Sequence, residues 1–233
     1  MKHKTRTKSQ TAEVKELLAL ADQTVELDRN TFLFQQGEMV NELYVILSGR
    51  VQIGKISADG RELTLRMCGS GDIVGELTLY TNDVKYLLNA KVIEPSKIAV
   101  IKKEQLEERL LHDTKLAIEL IKIMNENARR DQTKFQDLVL HGKKGALYST
   151  LIRLTNSYGI HMDDGILIDV SLTNQELANF CGTSRESINR LLNELKNDGI
   201  ISMEKKKIFV HDLQHLKNEI NCENCPVVLC SID

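Results

Sequence analysis

Three cysteines stand close together in Cys222-Glu223-Asn224-Cys225-Pro226-Val227-Val228-Leu229-Cys230. A Cys-x2-Cys pair can bring two thiolates to one centre, and a third thiol five residues on, with proline after the second, is the kind of spacing that iron-sulfur proteins use. Three thiolates and a histidine would also suit zinc, with His141, His211 or His215 available, and a run of unliganded thiols is the remaining alternative. Cys68 and Cys181 stand apart and read as core residues. An odd, scattered set of five cysteines does not make the framework of a small secreted disulfide protein, so reduced thiols and a cytoplasmic location are expected.

A second stretch able to do chemistry runs from Leu172 to Leu192. Thr173 with Glu176 is a capping box that opens a short helix, and Cys181-Gly182-Thr183 supplies a tight turn. Thr183 with Glu186 reads as a second box, opening a helix that buries Ile188, Leu191, Leu192 and Leu195 and leaves Ser184, Arg185, Glu186, Asn189 and Arg190 on or near the other face. Two short helices joined by such a turn predict a helix-turn-helix, whose second helix enters the DNA major groove. Ile200 to Met203 and Ile208 to Val210 flank Glu204-Lys205-Lys206-Lys207, a β wing whose basic tip would meet phosphates. The net charge of −2 gives no global pull toward nucleic acid, so this reading rests on the local constellation.

The remaining sequence must position these groups. Its 233 residues suit two modest domains better than one core. With 42% hydrophobic and 27% charged residues the composition is that of a globular protein, and no apolar run approaches the roughly 18 residues of a membrane span. Basic Met1 to Lys8 is not followed by an apolar stretch, and is expected to be a disordered tail rather than a secretion signal. Between Thr31 and Ile101, short apolar stretches alternate with glycine, which predicts a small antiparallel barrel or sandwich after a helix near Ala12 to Leu20. Asp59-Gly60 suggests a type I′ hairpin turn. Leu106, Leu110, Leu116, Leu120, Ile123 and Met124 follow at helical spacing, and 115–140 lacks proline and glycine. The apolar stripe also passes Ala117, Ile121 and Ala128, broad enough to pair with a second copy. Beyond a hinge between Asp137 and Gly145, a helix from Leu147 and a strand over Ile166 to Val170 lead into the helix-turn-helix.

No nucleophile-base constellation or phosphate-cradling glycine loop is present, and Gly69-Ser70-Gly71 reads only as a turn, so no catalytic role is expected. The competing readings are a DNA regulator and a sequence-independent DNA-binding module.

Gly182-Thr183-Ser184-Arg185-Glu186-Ser187-Ile188-Asn189-Arg190 resembles the recognition helix of the CRP/FNR family, and the order of β domain, long helix and winged helix is similar to that family over nearly the whole chain. The resemblance implies an α+β fold: an N-terminal antiparallel β-roll of the cyclic-nucleotide-binding kind in 1–112, a dimerisation helix in 113–141, a winged helix-turn-helix in 142–220 and a cysteine-rich tail in 221–233. It implies a homodimer on palindromic double-stranded DNA that works with RNA polymerase, away from membranes. Arg185, Glu186 and Arg190 would read base edges, giving TGTGA-like half-sites, and Lys205 and Lys206 would add contacts. Arginine pairs with guanine O6 and N7, and glutamate accepts from cytosine N4.

Cyclic-nucleotide members follow a Gly-Glu-Leu motif, about ten residues on, with an arginine and a serine for the cyclic phosphate. This chain has Gly75-Glu76-Leu77 and then Asp83-Val84-Lys85-Tyr86-Leu87-Leu88, so cyclic AMP is not expected. The terminal cysteines resemble the Gram-positive FNR branch instead. That likeness implies an oxygen-responsive regulator of anaerobic metabolism with a [4Fe-4S] cluster on Cys222, Cys225, Cys230 and an aspartate late in the dimer helix. Asp137 matches that position, with Asp131 and His141 as alternatives. Zinc or another effector is the competing cofactor reading.

Overall fold

The computed structural model describes residues 12–76 and 78–232; the basic segment 1–8 and Leu77 lie outside them. Among these residues one compact unit takes 12–58 and 66–127, and another takes Asp59–Leu65 with Ala128–Ile232.

The first unit contains α1 (Ala12–Leu18), β1 (Gln23–Leu27), β2 (Phe32–Phe34), β3 (Glu42–Ile56), β4 (Glu62–Cys68), β5 (Ile73–Val74), β6 (Asn89–Lys102) and α2 (Lys103–His112), with the tip of the β3–β4 hairpin and the start of β4 counted in the other unit. The strands form one antiparallel sheet in the order β1-β6-β3-β4, with β2 also on β6 and β5 on β3. Period-two alternation decides which side chains go where. From β3, Tyr44 and Ile46 enter one cluster with Phe34, Val92 and Val100, while Leu43 and Val45 face a second with Leu17, Leu106, Leu116 and Leu120. Cys68 and Cys181 are both buried, as expected of core thiols.

Two local expectations change. The apolar stretches on either side of Gly49 are a single long strand, β3, because Gly49 takes φ of +89° at a register irregularity where a Cβ would lie 2.3 Å from the Pro95 carbonyl oxygen. At Asp59-Gly60 only Gly60 has positive φ, so the connection is not a two-residue type I′ turn but a longer loop between Ile56 and Glu62, in which Arg61 bonds the Asp59 carboxylate at 2.7 Å.

α3 spans Thr114–Leu140, and α4 (Gly142–Tyr158) begins after a single-residue break at His141. The apolar residues of α3 do not make one stripe. Leu116 and Leu120 turn inward, whereas Ile118, Ile121, Asn125, Ala128, Gln132, Phe135 and Val139 are all exposed and recur at heptad spacing.

In the second unit α4 is buried on all sides from Gly145 to Thr155. Next come β7 (Gly159–Met162), β8 (Gly165–Ile168), α5 (Asn174–Phe180), α6 (Arg185–Asn197), β9 (Ile201–Glu204), β10 (Lys207–Val210) and α7 (Leu213–Glu219), with a four-stranded antiparallel sheet ordered β7-β8-β10-β9. The strand expected over Ile166 to Val170 is shorter and starts one residue earlier. Its partner β7 escaped sequence reading because it is mostly exposed and only four residues long, too short for Ile160 and Met162 to establish an alternation. Among the described residues no helix is long and apolar enough to cross a membrane.

Candidate nucleic-acid interface and cysteine-lined cavity

The Thr173–Glu176 box is formed from both sides: the Glu176 carboxylate accepts from Thr173 N–H at 2.6 Å, and Thr173 Oγ1 accepts from Glu176 N–H at 3.2 Å. The second cap falls one residue later than expected. Thr183 N–H is already committed to the Ala178 carbonyl, closing α5 over Gly182 at φ +57°, so Ser184 takes the extended cap conformation and accepts from Ser187 N–H. Glu186 therefore lies in the first turn of α6, where its own backbone N–H and then the Ser184 hydroxyl hold its carboxyl below the usual carboxylate range.

Ile188, Leu191, Leu192 and Leu195 are buried, and Ser184, Arg185, Glu186 and Arg190 are exposed. Asn189 is half-buried and accepts from the Asn174 amide, so it joins the two helices rather than standing free. Arg185 and Lys206 line one groove of about 460 Å³ with Thr173, Asn174 and Gln175. Arg190 is 3.9 Å from Glu194, a pairing too loose to tie it down. Lys205 and Lys206 form the tip between β9 and β10.

The cysteine segment packs against α3 and α4 through its backbone. Arg130 Nε donates to Val228 O at 2.7 Å, Asn156 donates to Cys230 O at 2.6 Å, and Ile232 N–H donates to Ser157 Oγ at 2.9 Å. Leu229, Cys230 and Ile232 are buried, and Cys222 and Cys225 are half-buried. The three cysteines line one cavity of about 250 Å³ together with Asp137, His141, Ser149 and Arg153. Asp131, His211 and His215 are not in its lining.

Burial pushes the Cys230 thiol up to about 12; Arg153 pulls it back, and Cys225 and Cys222 push it further up. Among the described residues no three Cys, His, Asp or Glu side chains gather closely enough to hold a single metal ion. The donors instead ring a volume. A cubane cluster takes its protein ligands on separate irons, so its donors surround a space rather than meet at a point, and the residues present fit such a group.

Sequence reasoning missed Arg153. Its side chain is 3% exposed, and its guanidinium donates to Asp137 Oδ2 from Nη2 at 2.7 Å and from Nε at 3.2 Å. A signal was there to find: Arg153 is the only charged residue between Gly145 and Tyr158.

The cyclic nucleotide-binding domain family matches residues 24–113, and the Crp-like helix-turn-helix domain family matches residues 145–219. Over 219 residues the chain is 50% identical to the anaerobic regulatory protein of Bacillus subtilis (strain 168), covering 94% of this chain and 92% of that protein. It is 27% identical to a CRP-like cAMP-activated global transcriptional regulator of Mycobacterium tuberculosis, over 83% of this chain and 86% of the other. Among solved structures, FixK2 from Bradyrhizobium japonicum shares the fold with a TM-score of 0.72 at 17% identity, covering 84% of this chain and 96% of FixK2. The two sequence relatives are named as regulators, and the chain belongs to the CRP/FNR family of DNA-binding transcription regulators, which are not enzymes.

Proposed function

We propose that this regulator responds to oxygen, binding palindromic TGTGA-like DNA as a homodimer while a [4Fe-4S] cluster on Cys222, Cys225, Cys230 and Asp137 is intact. The observation that carries the reading is the single cavity that those four side chains line. A similar chain named an anaerobic regulatory protein supports a role in anaerobic metabolism. The same reading places the protein in the cytoplasm with RNA polymerase as partner. The exposed heptad face of α3 supports the dimer, and a two-fold dimer would set its recognition helices about 34 Å apart, one turn of DNA.

When bound, the cluster supplies oxygen-sensitive iron. The chain's residues supply the rest. Asp137 lies on α3 and the cysteines lie beyond α7, so ligation from both ties the segment to the dimer helix within one unit. A ligand that binds only the DNA-competent arrangement shifts the population by its differential affinity, and its loss reverses the shift. Asp137 would give the iron it holds a carboxylate, a harder ligand than the three thiolates, and so would make that corner of the site chemically distinct.

Cyclic AMP stays outside this reading. Glu76 accepts from the backbone N–H groups of Leu87 and Leu88 at 2.7 and 3.1 Å, and Tyr86 stacks on Phe34 at 3.9 Å, so protein groups use the segment that would need to face a phosphate.

The test is anaerobic reconstitution with iron and sulfide analysis, then specific DNA binding before and after air, repeated with Cys225→Ala and Asp137→Ala. Equal affinity before and after air would overturn the switch. Full cluster loading in Asp137→Ala would remove only the fourth ligand. Zinc is the second reading because His141 lines the same cavity as the three thiols; a single ion would need these donors to draw closer than they stand here, and zinc without sulfide in the purified protein would select it.

A further inference from the structure

A buried guanidinium is costly unless its charge is paired and its donors are used. Arg153 meets both conditions in the wall of the cysteine-lined cavity. Nη1 donates to Leu229 O at 2.9 Å and to Ser231 O at 3.4 Å, the two carbonyls on either side of Cys230. Nη2 reaches Thr133 Oγ1 at 3.2 Å in addition to Asp137, and Nε reaches Ser149 Oγ at 3.3 Å. One side chain thus grips the backbone on both sides of one expected ligand and the carboxylate of another. Arg153 and Ser149 both use Asp137 Oδ2, and neither uses the other carboxylate oxygen.

From this we infer that Arg153 is the positioning residue of the cluster site, holding Asp137 and Cys230 in register before loading and supplying the buried positive charge that offsets an anionic cluster. The inference rests on the cluster reading above. Three thiolates and a carboxylate around the iron-sulfur core would leave a net negative assembly in a partly buried site, which an apolar wall would disfavour. A fixed cation beside it favours the more negative, reduced state and so raises the reduction potential. Ion-paired from Nη2 and Nε, Arg153 uses only Oδ2 of Asp137, so that Oδ1 would be available as a ligand. Such outer partners hold a ligand's orientation and tune its basicity.

The experiment compares wild type, Arg153→Met and Arg153→Lys as full chains in two states. In cluster-free protein, amide hydrogen exchange over 228–232 is read first. Both variants should lose protection there, because neither can reach two carbonyls and a carboxylate with a planar fork. After anaerobic reconstitution, Arg153→Met should bind the cluster about 10- to 100-fold more weakly and titrate at a lower potential, while Arg153→Lys should recover the potential through its charge. Wild-type exchange, loading and potential in Arg153→Met would overturn the inference. Should Arg153→Met fail to fold, wild-type protection of 228–232 in Arg153→Lys would overturn it alone. A wild-type chain that takes up iron without sulfide would sink the cluster reading instead, with the exchange comparison still deciding whether Arg153 positions the segment.

Discussion

Lys205 and Lys206 occupy adjacent positions at the wing tip with φ of 50° and 64°, a left-handed pair spanning the two-residue link from β9 to β10. Asparagine and glycine take that turn readily, whereas other side chains there cost about 1 kcal/mol or more each. Replacing the pair by Lys205→Asn and Lys206→Gly should therefore raise the urea midpoint. The same change should weaken specific and random DNA alike and flatten the salt dependence by about one unit of slope per lysine. Unchanged affinity for both DNAs would show that the tip does not reach the phosphates.

Arg185 is exposed at the start of α6 and lines the groove beside Lys206. Arg185→Ala should cost about 1 to 3 kcal/mol at one base pair and relax discrimination there. Titration against a panel of single-base half-site variants checks this. An equal loss on all sequences would reassign Arg185 to backbone contact.

Phe135 is 67% exposed on the heptad face of α3. In a dimer seam it would be covered, and Phe135→Asp would both lose that packing and strand a charge, costing about 3 kcal/mol or more. Sedimentation velocity at micromolar concentration should show monomer for the variant and dimer for the parent. A dimeric Phe135→Asp protein would move the seam elsewhere.

Lys134 is buried in the second unit, donating to Thr64 O and Leu65 O at 2.7 and 2.9 Å and lying 4.7 Å over the Phe180 ring. Burial, followed by the Arg153 charge, pulls its pKa down from 10.5 to about 7. Between those values the unfolded chain binds the extra proton, so stability of the cluster-free protein should rise with pH from about 7 toward 10.5. Urea midpoints at about pH 7 and about pH 9.5 test this, with Lys134→Met expected to flatten the difference.

What the sequence revealed follows the range of each interaction. Thr173 and Glu176 are three residues apart and satisfy each other, so their cap was readable without a partner from elsewhere. Thr183 was misassigned because its N–H is taken by Ala178, an outcome decided by how the preceding helix ends. The cysteines announced themselves by type and spacing. Arg153 did not, since two of its partners are main-chain carbonyls more than 70 residues away, which carry no mark in the sequence.

The last turns of α3 carry two different surfaces. Phe135 and Val139 belong to the exposed heptad face, and Asp137, halfway between them, lies about 200° around the helix from Phe135. The exposed heptad face and the cavity thus lie on nearly opposite sides of one rod and share its rotational phase. A small roll of α3 about its own axis moves Phe135 one way and Asp137 the other, so neither surface can be set without fixing the other. The torsion of a single helix is therefore the coordinate along which iron ligation and subunit pairing would be felt together.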